Sequence, residues 1–195
     1  MMITVKGVRV TFAKSSGRRY VVAVERERGP RLEPRFAPGY HDWMPHDLAH
    51  YLIEEQFSIK LGIFGQLAAG GGGIFAPAPA DRTGHSRRSA ERLGRAGRTD
   101  MQRSEKLVYR CVSEWELRTG RRRVLPPLAD LGTTTPAELA RAVSRLDEVA
   151  KRWHALAPGS SLTFTWPKSC TINPAGSQQG RKVKLARGRG DQRHR

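Results

Sequence analysis

The chain has 195 residues, of which 38% are hydrophobic, and a formal net charge of +17, whereas globular proteins usually contain about 45–50% apolar residues. This length predicts a single domain, and the composition predicts that part of the chain lies outside the core of that domain. No stretch approaches the roughly 20 apolar residues of a membrane span, the N-terminus lacks the apolar run of a signal peptide, and two cysteines are too few for a disulfide framework, so we expect a cytoplasmic protein.

Two N-terminal segments alternate between apolar and polar residues, as half-buried strands do. They are residues 2–12, in which the alternation shifts by one at Gly7, and residues 20–27. Such a shift is typical of a bulge or tight bend, and the turn-rich sequence between the segments predicts an antiparallel hairpin. Residues 29–45 contain four prolines, which predict an irregular connection.

A helix is predicted to begin near Pro45 and to end at about Phe57. Proline is favoured in the first turn because its missing N–H would have no partner there, and Asp47 suits the positive end of the helix dipole. The next stretch, LGIFGQLAA, is limited by its glycines to a short helix or a buried loop, and GGGG at 70–73 ends this ordered part. Residues 76–100 have no sustained apolar stripe, which predicts a flexible insertion.

Regular structure is predicted again in the second half of the chain. A helix from about residue 103 to Gly120 has one apolar face, on which Cys111 lies as a buried thiol. TPAE at 135–138 is a capping box with proline at the first helical position, and a long apolar stripe follows it. SLTFTW at 161–166 then alternates as a half-buried strand does.

Together these segments predict one α+β domain over residues 1–167. A small antiparallel sheet, formed by the N-terminal hairpin and the C-terminal strand, is covered by three to four helices. Residues 168–195 have almost no apolar content and predict a disordered basic tail.

The first predicted helix carries two histidines four residues apart and a carboxylate four residues further on. At about 100° per residue, His46, His50 and Glu54 form one stripe, with His46 inside the edge of the apolar arc, His50 bordering it and Glu54 facing outward. Zinc needs at least three protein ligands, and we predict these three as candidates, with His41 as a fourth. The alternative is a structural helix whose boundary histidines form hydrogen bonds into the core.

The stretch HDLAH at 46–50 resembles the HExxH signature of zincin metallopeptidases, with Asp47 where that family has glutamate. The resemblance implies zinc ligation by His46 and His50 and a water-activating role for Asp47, although aspartate is one methylene shorter. The His46-Asp47 pair also resembles the dipeptide of HD-domain phosphohydrolases, which are all-helical. The whole segment is similar to segments of uncharacterised bacterial proteins with a PHDLxHxxxE helix, which implies a shared fold but no activity.

Basic residues and an apolar edge predict two further kinds of contact. Residues 81–123 and 168–195 each have a net charge of +7, and such segments can neutralise phosphates without reading sequence. The candidate nucleic-acid contacts are Arg121, Arg122, Arg123, Arg181, Lys182 and Lys184. The alternative to nucleic-acid contact is that these charges reflect only the composition of the chain and are solvated by water. An edge formed by Trp43, Ile63 and Phe64 predicts a surface for a protein partner or for self-association.

Three functions therefore remain open. The leading one is a small cytoplasmic binding or association module without catalysis of its own, and no membrane partner is predicted. The second is a metal-dependent hydrolase, with zinc as the candidate cofactor, centred on His46, His50 and Glu54. The third is non-specific nucleic-acid binding through the basic segments. The metal content of the purified protein separates the second function from the others, and salt-sensitive binding separates the third.

Overall fold

The computed structural model describes residues 7–37, 43–127 and 130–172 of the chain. These residues contain one four-stranded antiparallel sheet and five α-helices. The strands are β1 (Val8–Lys14), β2 (Tyr20–Arg26), β3 (Arg35–Ala37) and β4 (Ser161–Trp166), in the order β3-β2-β1-β4. The helices are α1 (His46–Gln56), α2 (Ile63–Ala68), α3 (Gly84–Ala96), α4 (Arg98–Arg118) and α5 (Pro136–Ala155). This arrangement confirms the predicted α+β class.

The predicted hairpin and C-terminal strand form the centre of the sheet. Side chains alternate between the faces of a strand, so Val8, Val10 and Phe12 of β1 are all buried. β1 pairs antiparallel with β2 on one side and with β4 on the other, where Val10 lies opposite Phe164. The buried side chains of α1, α2, α4 and α5 join those of the sheet in one hydrophobic core.

Strand β3 lies in the connection that was predicted to be irregular, and this prediction is wrong for Arg35–Ala37. Those three residues pair with β2, with Val21 opposite Phe36. Three residues are too few to show an alternating pattern. The prolines around them are typical of irregular connections, so the sequence does not indicate this strand. The alternation was expected to shift at Gly7. The residues before Gly7 lie outside the described part.

The helix signals in the sequence are confirmed for α1 and α5, and of the two alternatives for the stretch LGIFGQLAA, a short helix or a buried loop, the structure has the short helix α2. α1 follows Pro45, and α5 begins with the predicted capping box, in which Glu138 N donates to Thr135 Oγ1 at 3.3 Å and Thr135 N donates to Glu138 Oε2 at 2.8 Å. Helix α4 begins at Arg98, earlier than predicted. Within the described residues, no helix is both long enough and apolar enough to cross a membrane.

The sequence predicts a flexible insertion at residues 76–100. The structure has helix α3 within this range instead. Thr83 caps it, since Ser86 N donates to Thr83 Oγ1 at 3.1 Å and Thr83 N donates to Ser86 Oγ at 3.0 Å. The thirteen residues of α3 bury only Ser86 and Leu93. Leu93 packs on Gly71 of the glycine run, which is itself buried. A helix with one apolar anchor has no apolar stripe, which is why its sequence resembles a loop.

Arg26 at the end of β2 attaches the sheet to the glycine run. Its Nη1 donates to Leu67 O at 2.9 Å and to Gly71 O, and its Nη2 donates to Pro30 O at 2.7 Å. Burial lowers the pKa of Arg26 to about 10. Backbone carbonyl groups thus hold this half-buried charge and fix the end of α2 against β2.

The ordered part also extends beyond the predicted boundary at residue 167. A short 3₁₀ helix, Lys168–Cys170, follows β4, and it buries Cys170 against α1, where the thiol contacts Glu55 O at 3.8 Å. The domain therefore includes residues 168–172. The rest of the predicted tail, residues 173–195, lies outside the described residues.

The burial of both cysteines leads to a prediction about their reactivity. Thiolates are the reactive species, and burial raises the pKa of the Cys111 thiol to about 12. Iodoacetamide at pH 8 should therefore leave Cys111 and Cys170 unmodified in the folded protein and alkylate both in denaturant, as measured by mass spectrometry. Modification of native Cys111 at the rate of a free thiol would contradict its complete burial on α4.

Candidate metal centre

The histidine stripe of α1 is oriented differently from the prediction. His46 is exposed, whereas His50 is 1% exposed and Glu54 is fully buried. The predictions that His46 is the more buried histidine and that Glu54 faces outward are therefore wrong. The physical reason is that α4 and α2 pack on this side of α1, and they supply polar partners for the two buried side chains.

Glu54 accepts hydrogen bonds from the start of α2 and from α4. Its Oε1 accepts from Ile63 N at 2.9 Å and from Ser104 Oγ at 2.8 Å, and its Oε2 accepts from Phe64 N at 2.9 Å. Burial raises the pKa of Glu54, and these three hydrogen bonds oppose the rise. Glu54 thus caps the first turn of α2 instead of acting as the metal ligand that the sequence predicts.

Gly62, which precedes α2, makes room for this carboxylate. A Cβ atom at position 62 would overlap the carboxyl group of Glu54. The position therefore requires glycine because of a close approach, and the N-terminus of α2 and the side chain of Glu54 form one unit.

The third candidate ligand comes from α4. His46, His50 and Glu105 each offer one ligand atom, and the three atoms all lie within 4.8 Å of one another. His50 Nε2 is 3.1 Å from His46 Nε2 and 3.6 Å from Glu105 Oε2. A tetrahedral ion with bonds of about 2.0–2.1 Å holds its ligand atoms about 3.3 Å apart. These residues thus fit an ion with small side-chain rotations.

The charge and exposure of Glu105 also suit a ligand. Its side chain is 59% exposed, so it can turn toward an ion without disturbing the core. The nearby imidazole rings of His50 and His46 lower the pKa of Glu105, which keeps the carboxylate ionised at neutral pH. A negative ligand beside two imidazoles balances part of the charge of a divalent cation.

His50 also has a buried partner on the other side of its ring. Its Nδ1 lies 2.9 Å from Ser104 Oγ, on α4. Ser104 is fully buried, so the ring of His50 lies between this buried serine on one side and the exposed side chains of His46 and Glu105 on the other.

Asp47 points toward the sheet and is engaged there. Its Oδ2 accepts a hydrogen bond from Tyr20 Oη at 2.9 Å and pairs with Arg35. Burial raises the pKa of Tyr20, so the phenol remains a donor at neutral pH. The contacts of Asp47 fix the first turn of α1 to β2 and β3, which does not support the water-activating role that the zincin resemblance implies.

The predicted nucleic-acid contacts lie in different settings. Arg121 stacks between two indole rings, with its guanidinium carbon 4.0 Å from the ring centroid of Trp43 and 4.7 Å from that of Trp115. Arg122 Nε donates to Glu116 Oε2 at 2.9 Å, and Arg123 is exposed. The other three candidates, Arg181, Lys182 and Lys184, lie outside the described residues.

The predicted partner surface is not formed as expected. Ile63 and Phe64 are buried in the core, so the prediction is wrong for these two residues. Trp43 is half-buried and stacks on His154, with ring centroids 4.2 Å apart. His41, the predicted fourth metal ligand, lies outside the described residues.

Ser104 and Glu105 are not recognisable as site residues from the sequence. They lie more than fifty positions from His50 along the chain, and the stretch RSEK at 103–106 has no motif that connects it with α1. The sequence matches no protein-family model, and it has no significant match among curated proteins or solved structures. The resemblance to proteins with a PHDLxHxxxE helix therefore remains a prediction.

Proposed function

We propose that this protein binds a divalent transition-metal ion through His46, His50 and Glu105, at the junction of α1 and α4. The observation that carries this proposal is the convergence of two imidazole nitrogens and one carboxylate oxygen within 4.8 Å. The binding module predicted from the sequence is thus proposed to be a metal-binding protein. In its ligand set, Glu105 takes the place of the predicted Glu54.

The chemistry of the ligands selects the class of metal. Imidazole suits zinc, copper, iron and nickel, whereas magnesium and calcium prefer sites made entirely of oxygen atoms. Two histidines with one carboxylate form a ligand set found in catalytic zinc sites. Zinc is therefore the metal that we propose.

The site supplies three protein ligands, which leaves a fourth position of a tetrahedral ion for water or another small ligand. His46 and Glu105 are exposed, so this position faces solvent. A zinc ion held by these residues would supply Lewis acidity there and would lower the pKa of a bound water. A metal-dependent hydrolase is the second function that this open position favours, although Asp47 is engaged elsewhere and is not its base.

The test is a titration of zinc and cobalt(II) into protein stripped of metal with a chelator. We expect one equivalent to bind, and we expect His46→Ala, His50→Ala and Glu105→Ala each to weaken binding more than about 100-fold, since even the partners of metal ligands contribute about 10–100-fold. Cobalt absorption in the visible range should report the coordination. His85→Ala and Glu91→Ala, at exposed positions of α3, are the matched controls.

Two results would contradict the assignment. Failure of the unmutated protein to bind zinc or cobalt would overturn the proposed function. Binding by Glu105→Ala at the unmutated affinity would show that the third ligand is a different residue.

A further inference from the structure

Behind His50, on the side away from His46 and Glu105, lies a chain of buried hydrogen bonds. His50 Nδ1 is 2.9 Å from Ser104 Oγ, and Ser104 Oγ is 2.8 Å from Glu54 Oε1. All three side chains are at most 1% exposed. The chain is therefore shielded from water, and its hydrogens have few alternative partners.

The direction of these hydrogen bonds follows from Glu54. Its oxygens accept three hydrogen bonds, from Ile63 N, Phe64 N and Ser104 Oγ. Three donors aimed at one carboxyl group favour its ionised form, and a carboxylate can only accept. Ser104 has a single hydroxyl hydrogen, which it donates to Glu54 Oε1. The serine oxygen can then only accept from His50, so the hydrogen of the neutral imidazole lies on Nδ1.

This tautomer leaves a lone pair on Nε2 of His50. Nε2 is the nitrogen that faces His46 Nε2 at 3.1 Å and Glu105 Oε2 at 3.6 Å. In metal sites, a ligating histidine almost always donates its other ring N–H to a fixed acceptor. Ser104 and Glu54 provide this arrangement before any ion is bound.

We propose that Ser104 and Glu54 are positioning residues for the metal site, holding His50 in the tautomer whose Nε2 lone pair faces the ion. The effect on metal affinity rests on the proposed function, whereas the tautomer is a property of the metal-free protein. Because Glu54 also caps the first turn of α2, the orientation of His50 is coupled to the position of that helix.

The first measurement is the tautomer of His50 in the unmutated protein without metal. Histidine labelled with ¹⁵N gives different long-range ¹H–¹⁵N correlations for the two tautomers, and His50→Ala assigns the signals. We expect the hydrogen on Nδ1. A hydrogen on Nε2 would overturn the proposal, and this result does not depend on whether the protein binds zinc.

The second measurement is the zinc affinity of Ser104→Ala, which removes the acceptor and keeps all three ligands. We expect affinity to fall by about 10–100-fold. Ser104→Thr keeps a hydroxyl group, so this variant should retain most of the zinc affinity of the unmutated protein. Ser113→Ala is the matched control, because Ser113 is buried on the same helix and lies outside this chain of hydrogen bonds.

The outcomes separate the two proposals. Unchanged zinc affinity in Ser104→Ala would overturn the positioning role while leaving the metal site intact. An Nδ1–H tautomer in a protein that binds neither zinc nor cobalt would support the positioning geometry and overturn the proposed function. If Ser104→Ala does not fold, the tautomer of the unmutated protein still decides the question.

Discussion

Zinc at 1,000 times its Kd should raise the free energy of unfolding by about 4 kcal/mol, which corresponds to a rise in Tm of about 8–16 °C for a chain of this size. The reason is that two of the proposed ligands lie on α1 and the third lies on α4, so the proposed site forms only when the two helices are packed together. Calorimetry with and without zinc measures the effect, and EDTA should reverse it.

Once metal is removed, His46→Ala and His50→Ala should differ in their effect on the free energy of unfolding. His46 is exposed but its Nε2 lies 3.1 Å from Nε2 of the buried His50, so His46→Ala should destabilise the protein in EDTA by about 0.5–1.5 kcal/mol, the usual contribution of one hydrogen bond. His50 is buried and bonded to Ser104, so His50→Ala should be destabilising with or without zinc. Neither variant should gain stability from zinc. A full zinc-dependent rise in Tm for His46→Ala would contradict the assigned ligands.

The sequence predicts the parts of the fold that are determined by local patterns. The alternation of Val8, Val10 and Phe12 and the capping box at Thr135 both depend on neighbours within a few positions, and both are confirmed. β3 and α3 are stabilised instead by contacts with distant segments. β3 has only three residues, and α3 is anchored mainly by Leu93, so neither gives a periodic signal.

The site was predictable only in part, for a related reason. The spacing of His46, His50 and Glu54 correctly places them on one stripe of a helix. Which of them is buried depends on the helices that cover the stripe, and the apolar arc of α1 alone does not specify those helices. Ser104 and Glu105 approach from α4, so the proposed positioning serine and the proposed third ligand can be found only from the tertiary structure.

Glu54→Ala in the metal-free protein should lower the free energy of unfolding by about 3–5 kcal/mol. The substitution leaves the N–H groups of Ile63 and Phe64 and the hydroxyl of Ser104 without their acceptor. Each buried polar group left unpaired costs about 1–3 kcal/mol. Denaturant unfolding followed by circular dichroism in the presence of EDTA measures this change without any contribution from a metal ion.

A second substitution disturbs the same carboxylate and keeps it in the chain. A Cβ at position 62 would overlap the carboxyl group of Glu54, so Gly62→Ala should destabilise by about 1–3 kcal/mol, the usual range for overpacking. Glu148→Ala, at an exposed position of α5, is the matched control and should stay within about 0.5 kcal/mol. If Glu54→Ala were as mild as this control, Glu54 would not be the cap of α2. The hydrogen-bond chain that orients His50 would then have no fixed end.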